Sequence, residues 1–207
     1  MTLAKFIALE GGEGVGKSTQ ARLLADRLRD RGLDVLHTRE PGGSSGAEVV
    51  RGLLLDPAQS WGPRAEALLF AAARADHVAQ VIRPALDAGR WVLCDRFVHS
   101  SLAYQGHALG LGAEAIEGLH AFGSDGLLPD RVILLHADPD ACAERLRLRD
   151  GEGGDRIGGR DAAFHARVRD GFEALAARDP SRVRRVDATG TPDAVAARLW
   201  AEVEPLL

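Results

Sequence analysis

A chain of 207 residues, 45% of them hydrophobic, is long enough to bury a substantial core and short enough to form one domain. Its formal charge of −4 excludes a nucleic-acid binder that relies on overall positive charge. Lys5 and Lys17 are the only lysines among 26 basic residues, arginine supplies the other 24, and asparagine is absent. Cys94 and Cys142 lie in apolar or helical stretches at a spacing that suits neither a zinc site nor a disulfide framework. Both are expected to be reduced packing residues.

In chain order, residues 5–10 form the first predicted strand, an apolar run that enters a glycine-rich loop directly and lacks the pattern of a secretory signal. The loop, Glu10–Thr19 (EGGEGVGKST), satisfies G-x-x-x-x-G-K-[ST] between a predicted strand and a helix over 18–31 that ends before Gly32. In that context the backbone N–H groups cradle phosphates, Lys17 reaches the β/γ-phosphates and Ser18 is placed to ligate Mg²⁺. The expected ATP-binding residues are therefore Gly11, Gly12, Glu13, Gly14, Val15, Gly16, Lys17, Ser18 and Thr19. Glu13 is the anomaly, a carboxylate inside an anion-binding loop.

A second strand is predicted over 34–38, followed by the loop EPGGSSG (40–46) at a strand's C-terminal end, where ligands bind in open α/β sheets. A helix is predicted over 64–88, ending before Gly89. The third strand, 91–95 (WVLCD), ends in Asp95, the acid that helps hold Mg²⁺ in P-loop proteins. Residues 131–137 form a fourth strand, apolar on both faces as in a buried parallel sheet. The glycine-dense, charged excursion 150–160 follows, flanked by arginine-rich helices, then a fifth strand over 182–187. Thr191-Pro192 supplies an N-cap and first helical position for a C-terminal helix. The alternation predicts a doubly wound α/β domain spanning 1–207, with a five-stranded parallel sheet and helices on both faces. No window approaches the length of a membrane span, so the expected setting is the cytoplasm, with no membrane or nucleic-acid partner.

A P-loop alone leaves kinases, GTPases and motor ATPases open. The guanine-reading signature is absent, and the length favours a small-molecule kinase. Arg96 follows Asp95, Arg51 follows the 40–46 loop, and Phe70 and Arg74, four residues apart, share one helix face. Such a pair suits a planar base stacked on Phe70 with Arg74 at its edge.

Five motifs in order, EGGEGVGKST, REPGG (39–43), LFAAAR (69–74), DRFVHSSLAYQG (95–106) and Asp155-Arg156 before Phe164-His165, resemble those of the thymidylate kinases. The resemblance covers essentially the whole chain. It implies γ-phosphoryl transfer from ATP to dTMP with Mg²⁺, a lid at about 147–161, and a homodimer, for which helix 65–88 offers a candidate face. It further implies that Phe70 stacks on thymine and Arg74 binds its edge. Arg96, assisted by Arg51, binds the acceptor phosphate, and Tyr104 lies beneath the sugar. Ser101 and Gln105 hold base and nucleotide, and Glu13 reaches the deoxyribose 3′-hydroxyl. Lys17, Asp95, Arg96 and Arg156 are the implied catalytic residues, Ser18 and Asp95 the metal ligands. Because Glu13 and Val15 leave the P-loop without a second basic residue, a lid arginine takes that duty, Arg156 ahead of Arg149 and Arg160. The family often carries an acid shortly after the lid Asp-Arg; this chain has Gly158. The ATP base is expected near the turn 187–191. A deoxynucleoside kinase and a P-loop nucleotide switch are the competing readings.

Overall fold

In the computed structural model the described residues are 4–150 and 155–207, with backbone alone at 149 and 150. Arg149, one of the expected lid arginines, therefore has its side chain outside the described residues, as does part of the 150–160 excursion.

Five parallel strands, β1 (Phe6–Glu10), β2 (Val35–Arg39), β3 (Trp91–Asp95), β4 (Arg131–His136) and β5 (Val183–Asp187), form one sheet in the order β2-β3-β1-β4-β5. Each predicted strand is present within one residue at either end. Alternate side chains of the central strands enter two separate cores, which is why these strands are apolar throughout rather than alternating. Phe6, Ala8, Val92, Cys94, Val132 and Leu134 face one layer; Ile7, Leu9, Trp91, Leu93, Ile133 and Leu135 face the other. Helices α1 (Lys17–Asp30) and α9 (Pro192–Val203) cover the second layer, with Leu24, Leu28, Leu199 and Trp200 buried beneath them. Thr191 caps α9 through its hydroxyl, 3.3 Å from the amide of Ala194, with Pro192 in the first turn.

The other layer is richer in helix than the sequence suggested. The 40–46 loop already yields at Ser45 to α2 (Ser45–Leu55), whose N-cap Ser44 accepts from the Ala47 amide. The helix predicted over 64–88 runs as α3 (Pro63–His77), a π turn (Val78–Ile82) and α4 (Arg83–Asp87). Pro84 accounts for the interruption: proline lacks an N–H and its ring crowds the carbonyl four residues back, and a π turn re-registers the ladder around both faults. The motif 95–106 becomes α5 (Val98–Ser101), continued by a second π segment (Leu102–Ala108). Then come α6 (Ala113–Ser124), α7 (Pro139–Asp150) and α8 (Ala162–Arg178). Cys94 and Cys142 are both free thiols, as expected.

Candidate active site

The C-terminal ends of β1, β2 and β3 empty into one cavity of about 540 Å³. Its position follows from the strand order: chain leaving β1 and β3 diverges there and opens a crevice at the switch point.

β1 passes directly into the glycine loop, whose close packing excludes a side chain at two positions. Gly11 (φ 139°) and Gly14 (φ 74°) hold left-handed backbone. A methyl group at either would strike a backbone carbonyl, that of Leu135 at Gly11 and that of Cys142 in α7 at Gly14. The loop is thus wedged between β4 and α7, with α1 starting at Lys17. Lys17 Nζ donates to Gly11 O (3.1 Å) and Gly12 O (2.7 Å). Burial, with Arg96 nearby, pulls the ammonium down to about 8. Ser18 Oγ donates to Asp95 Oδ2 at 2.7 Å, so the two expected metal ligands are brought together.

Arg96 turns out of β3 through left-handed backbone (φ 71°), a conformation that costs a non-glycine residue about 1–3 kcal/mol. Its contacts hold it there. The amide donates to Leu9 O (2.9 Å), and the guanidinium to Gly11 O (3.0 Å), Ser100 Oγ (3.1 Å) and Glu13 Oε1 (2.6 Å). Tyr104 Oη also donates to Glu13 Oε1 at 3.1 Å, and the Arg96 guanidinium lies 5.4 Å from the tyrosine ring centroid. Burial works to raise the Glu13 carboxyl, but Arg96 and Lys17 outweigh it and hold the group down to about 2. Glu13 therefore leans away from the loop amides and joins a charged cluster with Arg96 and Tyr104. Behind it, Glu10 ends β1 fully buried, accepting from Phe97 N (2.8 Å), Ser100 N (3.1 Å) and Ser100 Oγ (2.6 Å). Burial pushes its carboxyl up to about 7, against the lowering effect of Ser100 and Arg96.

The far end of the cavity is built on α3. Phe70 lines it together with Ser101, Tyr104 and Gln105 of the α5–π segment and Arg51 of α2. Arg51 is anchored to Pro41 O at 2.8 Å. Arg74 is buried just behind, its Nε on Glu40 Oε2 (2.8 Å) and its Nη2 on Ser101 Oγ (2.9 Å). Glu40 also meets His77 Nδ1 at 3.2 Å, and His77 Nε2 lies 2.8 Å from Thr38 Oγ1. A carboxylate accepts only, so His77 carries a proton on Nδ1, while its Nε2 pairs with a hydroxyl that can donate or accept. The REPGG motif thus supplies Glu40, the partner of two buried α3 side chains.

Arg156, the expected lid arginine, is held by α2 and α3: Nε donates to Leu54 O (2.8 Å) at the C-terminus of α2, and Nη1 meets Glu66 Oε2 at 2.8 Å. Its neighbour Arg160 reaches the same oxygen at 2.5 Å. Arg145 of α7, just before the expected lid, lines the cavity beside the P-loop, as do Asp155 and Ile157 of the lid. Carboxyl-terminal carbonyls of α2 and a buried carboxylate hold Arg156, and nothing in the local sequence signals either. Glu10, Glu40, Glu66, His77, Ser100 and Arg145 are the residues around the site that sequence reasoning missed. Among the described residues no cluster of three His, Cys, Asp or Glu side chains could hold a metal ion.

A phosphate-shaped glycine loop, a hydroxyl paired with a strand-end acid, and a far cavity end walled by arginine and aromatic rings define a P-loop phosphotransferase acting on a nucleotide-like acceptor. The comparisons narrow the class. The family profile described as thymidylate kinase matches residues 9–199. A thymidylate kinase of Rhizorhabdus wittichii is 59% identical over 204 residues, covering 98% of each chain. One from Gluconobacter oxydans is 50% identical over 206 residues, covering 98% of this chain and 95% of that one. The crystal structure of thymidylate kinase from Ehrlichia chaffeensis superposes with a TM-score of 0.81 at 31% identity, covering 97% of this chain and 98% of the other. The chain belongs to the thymidylate kinase family.

Proposed function

We propose that the protein transfers the γ-phosphoryl group of ATP to dTMP, giving dTDP and ADP, from a single domain spanning 1–207. The observation that carries this is the Glu13–Arg96–Tyr104 cluster, which joins the phosphate loop to the far cavity and offers that cavity an arginine and a phenol. A cavity so equipped suits an acceptor that already bears a phosphate.

In this reading Gly11–Thr19 hold the triphosphate of ATP, Phe70 and Arg74 take the thymine, and Ser101 and Gln105 complete the base site. Arg96 and Arg51 bind the acceptor phosphate, and Tyr104 and Glu13 meet the deoxyribose. An oxygen of the dTMP phosphate attacks the γ-phosphorus, and the bond from that phosphorus to the β–γ bridging oxygen breaks. The attacking oxygen is already anionic near neutral pH, so no general base is required, and alignment and charge neutralisation carry the rate. Lys17 and Arg96 supply positive charge on either side of the transfer. Arg156 keeps the lid duty, and Arg145 of α7, which lines the cavity, adds a second positive charge to it.

Mg²⁺ is the metal that the donor set fits, since Ser18 and Asp95 offer hard oxygen ligands and leave most of the coordination sphere to phosphate and water. When bound, it neutralises charge on the β- and γ-phosphates. A homodimer is proposed through α3 and its neighbours, because Leu68 of α3, Leu53 of α2 and Phe122 of α6 are large apolar side chains left exposed. The cytoplasm remains the proposed location; no described helix is long and apolar enough to cross a membrane.

The direct test is ³¹P NMR of ATP mixed in turn with dTMP and with thymidine. β- and α-phosphate resonances of dTDP should grow only with dTMP. Conversion of thymidine to dTMP would assign the protein to deoxynucleoside kinases instead.

A further inference from the structure

Glu66, Phe70 and Arg74 follow one another at intervals of four along α3 and so share a face. Phe70 lines the acceptor cavity and Arg74 lies buried just behind it; Glu66, fully buried, has no part in the mechanism above. Its two carboxylate oxygens look in different directions. Oε1 accepts from Gln105 Nε2 at 2.8 Å, and Gln105 lines the cavity. Oε2 accepts from Arg160 Nη2 (2.5 Å) and meets Arg156 Nη1 (2.8 Å), both from the lid. Arg156 is pinned further by its amide on Leu55 O (3.3 Å) and its Nε on Leu54 O (2.8 Å).

One buried carboxylate thus faces two guanidinium groups, and Arg156 Nη2 and Arg160 Nη1 are buried without a hydrogen-bond partner among the described residues. Removing a partner from such a cluster is costly, so the three side chains hold one another's geometry. The carboxylate accepts only, which obliges Gln105 to turn its NH₂ towards Glu66 and its carbonyl oxygen elsewhere. A bound acceptor that fixes Gln105 fixes Glu66, and through it the start of the segment 155–161.

We propose that Glu66 is a positioning residue that couples occupancy of the acceptor site to ordering of the lid arginines, by holding Gln105 with one oxygen and Arg156 and Arg160 with the other. The proposal rests on the acceptor cavity taking dTMP. Coupling is reciprocal: dTMP should order the lid, and an ordered lid should tighten dTMP.

Backbone hydrogen exchange over 155–161, measured on the full chain with and without saturating dTMP, tests it. In the wild-type protein dTMP should slow exchange there about tenfold, within the range usual for coupled sites. In Glu66→Gln and Gln105→Leu at saturating dTMP the slowing should fall below about twofold, with kcat reduced about tenfold and the ATP KM within about threefold. Gln105→Leu cuts only the cavity arm and carries the test if Glu66→Gln, with its two buried guanidiniums, does not fold. A merely structural Glu66 would speed exchange equally with and without dTMP. Wild-type slowing by dTMP in the folded variants would overturn the coupling, as would no slowing in the wild-type protein. Failure of the wild-type protein to bind dTMP would overturn the acceptor reading itself, and the coupling with it.

Discussion

Glu13 shows how a residue can look misplaced until its neighbours are known. Phosphate cradling uses backbone N–H groups, so the loop's side chain is free to face elsewhere, and it faces Arg96 and Tyr104. The general direction was legible in the sequence through the family resemblance; the two partners lie more than 80 residues away and were not paired with it. Glu66 was wholly illegible for the same reason. Its partners come from 39 and 94 residues along the chain, and no local pattern marks an acid on α3 as buried. Glu13→Ala should lower kcat/KM for dTMP by about 10²-fold, the worth of losing one charge-assisted bond to a well-placed group, while the ATP KM stays within about threefold. Steady-state kinetics with each substrate varied in turn checks this, and a rise in the ATP KM alone would contradict it.

At the scale of elements, the strands were the most readable part. The two-sided apolar runs of β1, β3 and β4 leave few alternatives, and all five strands were found within one residue. The helices around the acceptor were harder. α2 begins inside what reads as a glycine-serine loop, since Ser44 is both a loop residue and an N-cap. π segments carry no periodic signature distinct from that of an α-helix. Glu10 shows what joins these elements: it ends β1 and clamps the Phe97 and Ser100 amides, fixing the turn that carries Arg96. Its carboxyl titrates near 7 in the fold against 4.5 for an ordinary glutamate. Between those values the folded chain retains a proton that the unfolded chain has released, so rising pH through that window lowers stability. His99, drawn down to about 4 chiefly by burial, changes stability in the opposite sense below about 6.5, so the wild-type curve alone does not isolate Glu10. Glu10→Gln keeps an acceptor for the two amides and presents an uncharged NH₂ to the Ser100 hydroxyl. Its stability relative to wild type should rise by roughly 3 kcal/mol from pH 4.5 to 7.5 in urea melts. A flat difference would remove the buried proton from the account.

For the whole molecule, the strand order β2-β3-β1-β4-β5 determines where chemistry can occur, because it gathers the ends of β1, β2 and β3 at one crevice. Sequence alternation established a parallel α/β sheet but not this order, which depends on which crossovers pack over which face. Of the exposed apolar residues of α2, α3 and α6, only that of α3 was legible, as part of a long apolar helix equally suited to core. The structure divides that helix, burying Ala67, Ala73, Val78 and Ile82 and leaving Leu68 outside. Leu68→Glu should convert a dimer of about 44 kDa to the 22.0 kDa chain in light scattering, since a charge at the centre of an apolar interface is left unpaired on both copies. An unchanged mass would place the interface elsewhere.

The central claim is that the arginine- and aromatic-walled cavity beside the P-loop accepts dTMP. Coupled ADP release measured with dTMP, dCMP, dGMP and UMP tests it most directly. The account predicts kcat/KM for dTMP at least about 10²-fold above the other monophosphates, the discrimination expected of a site that hydrogen-bonds its substrate. Activity with dTMP no greater than with dCMP, dGMP or UMP would contradict it.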